Sequence, residues 1–568
     1  MLAASATRLA PFSWTAMRPC LARLCTLFTV ALLALVGGAG AHAQESRLPD
    51  IGSSAASVLG PAQQAEYGRM LLAQLRHYDY VLEDPLVDGW LQATGNRLGA
   101  ASDDPSQRFT FFMMKDRSIN AFATLGGYIG MNAGLVLAAE SEDEVAAVLG
   151  HEVAHVTQAH VLRSVERAQR DSIPLLLAML GAIAIAQSAG GNSSDDASMA
   201  AIATAQGLAA QRQINYTRSN ESEADRIGIR TLARSGYEPA AMASMFERMQ
   251  AVSRTNQGGE RERLPDYLKT HPVTTTRIGE AKDRAERLGG STIAGTVSTP
   301  DATRSERIPL DGVIVPGGLR ATDNLLLPAG LNLAGGLDAT GNGDFGWARE
   351  RLRVLSANTP EAALREYELI AGARELDDAQ RYGLAIAQLR AGRGEQAAAI
   401  LAALLERHPG DVWLSVGLAE AEAHAGRPAA ADRRFEALLE RMPRHPAVAL
   451  TYADVLVARN TPEAGSRARD VLRPLQSGSG GDPAFQRTFA RASEIAGDPV
   501  RAGEAWAEAA YLSGREEQAL VQLNTLKKRD DLDYYARARI DARISQITPV
   551  VLELRRQGIR DPDLNRRR

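Results

Sequence analysis

The sequence predicts an α+β domain with a small sheet, followed by an all-α solenoid of paired helices. Between about 60 and 290, two short β-prone runs stand among helical patterns, which is typical of an α+β fold. From 345 onward the chain is rich in Ala and Leu, and its turn residues recur at a constant spacing. A chain of 568 residues also exceeds what one hydrophobic core usually supports, so we expect at least two domains.

The N-terminal segment 1–43 is predicted to be a cleaved Sec-type signal peptide. A basic region without acidic residues precedes an apolar stretch at 24–36, and Ala41-His42-Ala43 offers small residues at the cleavage position. The apolar stretch is 13 residues long, which is shorter than the ~20 that a membrane span requires. An uncleaved membrane anchor is the alternative interpretation.

The composition of the chain restricts its cross-links and its partners. Both cysteines, Cys20 and Cys25, lie inside the predicted signal, so we expect no disulfide in the mature chain. The formal net charge is −4 and is spread along the chain without a basic block. We therefore expect no nucleic acid partner.

Residues 44–290 are predicted to form the α+β domain, and two segments within it are predicted strands. Phe109–Met114 is a β-prone run that ends at a turn, and Gly126–Met131 is a second short strand entered through a glycine turn. Helical patterns flank both strands. Residues 291–344 are rich in Gly and Pro and are predicted to be a linker, although 308–315 could pair as a strand.

Residues 345–550 are predicted to form helical repeats, and 551–568 a charged tail. The predicted turns between paired helices carry residues 34 positions apart: Asn358, Gly392, Gly426 and Asn460. Pro409 and Pro443 are also 34 apart, and each follows the second helix of a pair. This period is the sequence signature of tetratricopeptide repeat (TPR) hairpins, of which we count four or five. An unrelated helical bundle is the alternative.

Residues 151–155 have the pattern HExxH, which suits a zinc hydrolase. On a helix His151 and His155 project from one face and can share a metal ion. Glu152 lies about 100° round the helix, where it can take a proton from the attacking water without ligating the metal. The preceding residues have helical apolar spacing and no proline, so we expect the motif on a helix. A solvated helix with incidental His and Glu is the alternative.

A catalytic zinc ion needs a third protein ligand, and the segment 220–228 (NESEADRIG) contains a candidate. Glu221 and Asp225 are four residues apart and share a helix face, whereas Glu223 points roughly opposite. Glu221 can ligate the metal while Asp225 reaches the far nitrogen of a ligating histidine and fixes its tautomer. An exposed acidic helix face is the alternative.

Helical periodicity excludes another nearby histidine from this predicted site. His160 comes nine residues after His151, about 180° round a continuous helix. We therefore expect His160 to face away from the metal, as a surface or packing residue.

The motif HEVAH, preceded by Glu142 and Glu144 and followed by NESEADRIG, resembles the HtpX/CAAX-prenyl-protease family of gluzincin zinc metallopeptidases. Within that family, the export signal and the helical repeats are similar to the BepA-like subgroup of periplasmic proteases with TPR repeats. The resemblance implies a zincin-type fold for the first domain and one Zn²⁺ per chain. It makes Glu221 the third zinc ligand beside His151 and His155, and it places Asp225 behind the ligands.

The resemblance also draws attention to Thr270-His271-Pro272 and to Arg277. In the BepA-like subgroup a histidine before proline can reach the zinc and hold the enzyme off. By its chemistry alone, His271 could equally donate a hydrogen bond to the oxyanion of the scissile carbonyl, and Arg277 could support either role. A His-Pro pair that starts a helix without contacting metal is the alternative.

Two further segments of the first domain are candidates for binding substrate or membrane. Asn120–Phe122 resembles the strand edge that pairs with substrate backbone in this family, and a merely structural hairpin is the alternative. The segment 173–210 is a pair of apolar stretches joined by a polar turn, each too short to span a bilayer. It could cover the active-site cleft as buried helices, or act as a lid that touches a membrane surface or an unfolded client.

These observations together predict a periplasmic zinc metalloendopeptidase that cleaves misfolded or stalled outer-membrane proteins. The expected catalytic group comprises Glu152, Asp225, His271 and Arg277, and the expected metal ligands are His151, His155 and Glu221. The TPR module is expected to bind clients or the outer-membrane assembly machinery, with peripheral membrane contact through 173–210. The alternative is a chaperone or scaffold for outer-membrane protein assembly with little or conditional proteolysis.

Overall fold

A computed structural model describes residues 59–167, 217–255, 267, 271–291 and 344–556. Three predicted segments lie outside this range: the signal peptide at 1–43, the apolar pair at 173–210 and the strand at 308–315. The linker predicted at 291–344 also lies outside it, except for its two end residues. Within the described part of the chain, we find no helix that is both long and apolar enough to cross a bilayer.

The first domain combines helices with one small sheet. Its helices are α1 Pro61–His77, α2 Pro85–Ala100, α3 Ala133–Ala138, α4 Glu142–Thr157, α5 at 160–167, α6 at 217–234, α7 Ala241–Thr255 and α8 Thr275–Ser291. Its strands are β1 Val81–Leu82, β2 Thr110–Met114, β3 Ala121–Ala123 and β4 Tyr128–Asn132. The α+β class predicted for this domain is confirmed.

The sheet has the strand order β1-β2-β4-β3. The strands β2 and β4 are parallel, with Phe112 opposite Gly130, and they coincide with the two strands predicted from the sequence. The strand β3 pairs antiparallel with β4, so the 121–123 segment forms one edge of the sheet. The predicted edge position of this segment therefore agrees with the structure.

The helix α4 carries the HExxH motif, and hydrogen bonds fix the position of its N-terminus. The Ser141 side chain accepts a hydrogen bond from the Glu144 backbone N–H, as an N-cap does. The buried carboxylate of Glu142 accepts hydrogen bonds from Trp90 and Tyr237, at 3.3 and 3.0 Å. These bonds connect α4 to α2 and to the chain after α6, so the motif is held by several elements at once.

Twelve helices follow one another between 344 and 556 as six consecutive pairs. They are α9 Asp344–Leu355, α10 Pro360–Ala373, α11 Asp378–Arg390, α12 Gly394–Arg407, α13 Val412–His424, α14 Pro428–Arg441, α15 Pro446–Ala458, α16 Pro462–Leu472, α17 Pro483–Ile495, α18 Pro499–Leu512, α19 Glu516–Leu526 and α20 Tyr534–Arg556. The sequence predicted four or five pairs, because the period slips after Asn460. The last helix also runs to Arg556, beyond the tail boundary predicted at 551.

The predicted turns between paired helices lie where the 34-residue period places them. Gly392, Gly426 and Asn460 separate the two helices of successive pairs and have positive φ values of 75°, 75° and 54°. Glycine adopts this left-handed backbone without a steric penalty, and asparagine tolerates it better than most residues. The recurring residues therefore mark the turns of helical hairpins, as the period predicted.

A buried ion pair joins the two domains. The Arg351 guanidinium on α9 donates three hydrogen bonds of 2.7–2.9 Å to the carboxylate of Asp84, which caps the N-terminus of α2. Both side chains are 8% exposed. A continuous hydrophobic core extends on both sides of this pair, where Trp90 of the first domain meets Phe345 of the second, with ring centroids 6.4 Å apart. The two domains therefore share one core.

An acidic residue at this interface makes stability depend on pH. Burial raises the pKa of Asp88 well above its ordinary value, and the nearby carboxylates of Asp84, Asp482 and Glu83 add to this despite Arg76. The folded protein therefore binds the proton more tightly than the unfolded chain does. Between the ordinary pKa near 4 and the raised folded value, stability falls as pH rises.

We accordingly expect Asp88→Asn to raise Tm by a few degrees at pH 7.5, because the amide needs no proton to be buried neutral. Near pH 4 the advantage should shrink, since the parent carboxyl is then protonated in the folded protein and about half protonated in the unfolded chain. Thermal unfolding followed by circular dichroism at both pH values measures the difference. An equal shift at the two pH values, or a lower Tm at pH 7.5, would contradict the raised pKa.

Candidate active site

The two helices that carry the predicted motifs cross at a pair of glycines. A Cβ atom on Gly228 of α6 would lie 3.0 Å from the backbone nitrogen of His151, and one on Gly150 of α4 would lie 3.3 Å from the Gly228 carbonyl oxygen. Any side chain at Gly228 would therefore push the helices apart. This close crossing brings the carboxylates of α6 beside the histidines of α4.

Four side chains converge on one point next to this crossing: His151, His155, Glu221 and His271. One ligand atom from each lies within 4.8 Å of all the others. The Nε2 atoms of His151 and His155 are 3.0 Å apart, and each lies 3.4 Å from a Glu221 carboxylate oxygen. The Nδ1 atom of His271 lies 2.9 Å from Glu221 Oε1. Nitrogen and oxygen donors in a buried cluster of this size suit a four-coordinate metal ion.

The electrostatics of the cluster favour a cation. Burial acts to raise the pKa of Glu221, but hydrogen bonds from His151, His155 and His271 hold it well below its usual range. Burial acts to lower the pKa of His151, but Asp225 and Glu221 raise it to about 10. The two buried carboxylates thus remain negative and attract positive charge into the space between the imidazoles. A divalent metal ion would supply this positive charge.

Asp225 and Arg277 support the cluster from behind. Asp225 Oδ1 lies 2.9 Å from His151 Nδ1, the nitrogen that faces away from the other three side chains. Arg277 donates two hydrogen bonds of 2.7 Å to the Asp225 carboxylate. Its remaining nitrogen lies 3.0 Å from Glu221 Oε2 and 3.0 Å from the Pro272 carbonyl oxygen. Arg277 therefore links both carboxylates to the loop that carries His271.

One oxygen of the buried Glu152 carboxylate has no hydrogen-bond partner among the residues that the structure describes. The Glu152 side chain is 1% exposed, and the oxygen without a partner is Oε1. The same atom lies 3.8 Å from His271 Nε2. A buried carboxylate oxygen without a partner costs free energy, which indicates a role beyond folding. Its place beside the cluster suits a base that accepts a proton from water.

His271 is held in the cluster by the backbone that precedes α8. Its backbone N–H donates a 2.7 Å hydrogen bond to the carbonyl oxygen of Tyr267, and its ring stacks on the Tyr267 ring with centroids 4.8 Å apart. The His271 side chain is 12% exposed, more than those of the other three members. It is therefore the member of the cluster that solvent reaches most easily.

The predicted position of His160 on the far side of α4 is wrong, although His160 is, as predicted, not among the four converging donors. The helix α4 ends at Thr157, and Ala159 takes a left-handed backbone with φ 52°, so the chain bends before His160. The bend places His160 Nδ1 2.9 Å from His155 Nδ1. The prediction failed because it extended helical periodicity beyond the end of the helix.

Glu223 also takes part in this contact, although the sequence placed it only opposite Glu221. Its Oε2 atom lies 3.1 Å from His160 Nε2 and accepts a 2.7 Å hydrogen bond from Arg163. Burial and the neighbouring His155 lower the pKa of His160 to about 4, so its ring is neutral at neutral pH. His160, Glu223 and Arg163 are residues near the site that the sequence did not reveal.

The edge strand β3 packs against α4, so an edge of the sheet lies beside the cluster. Its partner on the inner side is β4, and its outer edge pairs with no strand among the residues that the structure describes. An exposed strand edge can bind an extended peptide through backbone hydrogen bonds.

The residues that form this centre match a known family. Residues 85–285, which contain every member of the cluster, match the model of peptidase family M48. This part of the chain belongs to peptidase family M48. The M48 domain is that of a metal-dependent protease, and the clustered donors provide its candidate metal site. Residues 389–453 match a tetratricopeptide repeat model, which confirms the TPR class of the second domain.

Relatives of this chain align with most of it or with part of it. The beta-barrel assembly-enhancing protease of Yersinia pestis is 29% identical over 92% of this chain and 97% of its own length. The corresponding protease of Escherichia coli K12 is 27% identical over 92% of this chain and 95% of its own. A Vibrio cholerae protein, which bears the same name provisionally, is 41% identical over 240 residues, 42% of this chain and 48% of that protein. The chain thus spans about half of the third relative and nearly all of the other two.

Proposed function

We propose that this protein is a periplasmic zinc endopeptidase that cleaves misfolded or stalled outer-membrane proteins. The zinc ligands are His151, His155 and Glu221, and Glu152 is the catalytic base. The TPR domain binds clients or the outer-membrane assembly machinery. The observation that carries the proposal is the convergence of four donor atoms within 4.8 Å, beside the buried carboxylate of Glu152, whose Oε1 atom has no hydrogen-bond partner among the described residues.

Each of the proposed residues has a separate role in peptide hydrolysis. When bound, zinc would polarise the scissile carbonyl and lower the pKa of the attacking water. Glu152 takes a proton from that water and returns it to the leaving amine. Asp225 holds the ring of His151 by its Nδ1 atom, and Arg277 holds Asp225, so that Nε2 of His151 faces the other donors.

The choice of client rests on the relatives and on the shape of the site. The relatives that match nearly the whole chain are named for β-barrel assembly, which supports outer-membrane proteins as clients and the periplasm as the location. An unfolded β-barrel protein consists of extended segments, and the edge strand β3 beside the cluster can add such a segment to the sheet. Binding through backbone atoms tolerates many sequences, which suits an enzyme that removes failed intermediates.

We further propose that His271 restrains the enzyme by occupying the position of the fourth ligand. Its Nδ1 atom lies with the donors of the other three side chains, and in this position it competes with water and substrate. His271→Ala is therefore expected to increase proteolysis several-fold when zinc is supplied in excess. Cleavage of an unfolded outer-membrane barrel protein, followed by gel electrophoresis and mass spectrometry, measures the change.

The comparison requires the parent, His271→Ala and His271→Gln at matched zinc content. Activity of His271→Ala below the parent would instead assign His271 to the stabilisation of the oxyanion. If neither the parent nor any variant cleaves the client although zinc is bound, the result would favour the alternative function as a chaperone or scaffold. In that case the parent should still hold the unfolded client in solution without cutting it.

A further inference from the structure

The two histidines of the HExxH motif have different partners on their outer nitrogens. His151 Nδ1 faces the carboxylate of Asp225 at 2.9 Å. His155 Nδ1 instead faces the imidazole of His160, with the two Nδ1 atoms 2.9 Å apart. His160 is 3% exposed, so water does not replace this contact easily. A metal ligand that relies on a second imidazole needs that imidazole in one particular tautomer.

The hydrogen-bond chemistry of this contact allows one arrangement of protons. His155 points Nε2 at the cluster, so as a neutral ligand it carries its proton on Nδ1. The contact between the two Nδ1 atoms needs one donor and one acceptor, so Nδ1 of His160 is the acceptor. The proton of His160 then lies on Nε2 and is donated to Glu223 Oε2 at 3.1 Å. Arg163 holds that carboxylate with a 2.7 Å hydrogen bond.

The backbone that delivers His160 is strained. Ala159 has φ 52°, a left-handed conformation that residues with a Cβ atom seldom adopt. Strain of this kind persists where the surrounding structure requires the conformation. Here the bend turns His160 back onto His155, which a continuation of α4 would not do. The strained backbone and the matched pair of ring nitrogens are independent observations that point to the same contact.

We infer that His160 is a positioning residue for the metal site. It fixes the tautomer and the ring orientation of His155 by accepting a hydrogen bond from the Nδ1–H group of His155, and Glu223 with Arg163 fixes the tautomer of His160. The inference rests on the proposed role of His155 as a zinc ligand. Outer partners of ligating histidines typically change metal affinity by about 10–100-fold when they are removed. The two histidine ligands would then differ in their outer partners. His151 faces the charged carboxylate of Asp225, and His155 faces the neutral imidazole of His160.

The first variant is His160→Phe, which keeps a planar ring but cannot accept a hydrogen bond from His155 Nδ1–H. We expect it to lose zinc to a chromogenic chelator about 10–100-fold more readily than the parent, with a changed absorption spectrum when cobalt replaces zinc. His160→Asn is the matched variant, because its amide oxygen can accept the same hydrogen bond. We expect it to retain zinc within a few-fold of the parent. A merely structural role for His160 would not distinguish the two variants in this way.

The full mature chain is used, and the circular dichroism of each variant without metal shows whether it folds. If His160→Phe does not fold, Glu223→Gln replaces it, because an amide can donate to His160 Nε2 and so release the tautomer. We expect Glu223→Gln to weaken zinc retention less than removal of the His160 imidazole does. Equal zinc retention by the parent and the folded variants would overturn the inference. A parent that binds no zinc would instead overturn the proposed function, and the two failures are therefore distinct.

Discussion

Glu152→Gln is expected to lower peptide hydrolysis by about 10²–10⁴-fold, the range for the loss of a general acid–base group. The amide has the same shape as the carboxylate but cannot accept a proton at neutral pH. Oε1 of Glu152 makes no hydrogen bond within the described residues, so the fold should lose little. Peptide bond cleavage in a quenched fluorescent peptide library, at equal zinc content of both proteins, measures the effect.

The control for this experiment is the metal itself. Zinc content and Tm of Glu152→Gln should match those of the parent, because Glu152 is not among the four converging donors. A variant that retains more than a tenth of the activity at full zinc occupancy would exclude Glu152 as the base. Loss of activity together with loss of zinc would show that Glu152 acts by holding the site rather than by moving a proton.

The core of the candidate site could be predicted because its residues obey helical spacing. His151 and His155 lie on α4, and Glu221 and Asp225 lie on α6, each pair four residues apart. Within a regular helix this spacing alone places both side chains on one face. The sequence therefore anticipated which side chains would lie together, although only the crossing at Gly228 shows how closely the two helices approach.

The same method failed where regular structure ends. His160 was assigned to the far side of α4 on the assumption that the helix continues, and the left-handed Ala159 reverses that conclusion. A non-glycine residue in this conformation is uncommon and leaves no signal in a single sequence. The contact of Glu223 with His160 depends on that bend and was missed with it. Arg277 was noted only through a resemblance, because its contacts arise from tertiary packing.

The repeats show which part of a solenoid a sequence encodes. The period of 34 identified the turns at Gly392 and Gly426 because the left-handed backbone selects glycine there. The count of helix pairs fell short because the Ser- and Gly-rich stretch at 477–481 breaks the period without ending the solenoid. How the solenoid docks on the first domain had no sequence signal, since Asp84 and Arg351 are 267 positions apart.

That long-range pair is expected to carry the largest single contribution to stability that a substitution would reveal. Asp84→Asn should lower the free energy of unfolding by about 3–5 kcal/mol, because it removes the carboxylate that forms hydrogen bonds with the buried guanidinium of Arg351. Asparagine caps a helix as well as aspartate does, so the loss reports on the ion pair rather than on the cap of α2. Urea unfolding of the full-length protein, followed by circular dichroism, measures it.

The matched control is Asp531→Asn in the pair between Arg529 and Asp531, which has two hydrogen bonds of 2.9 and 2.6 Å but lies at the surface. Its stability should not change measurably, because water and salt screen an exposed pair. Adding Arg351→Met to Asp84→Asn should recover part of the loss, since the double variant buries no unpaired charge. Similar stability losses for Asp84→Asn and Asp531→Asn would mean that the domains are held by apolar packing around Trp90 and Phe345 rather than by this pair.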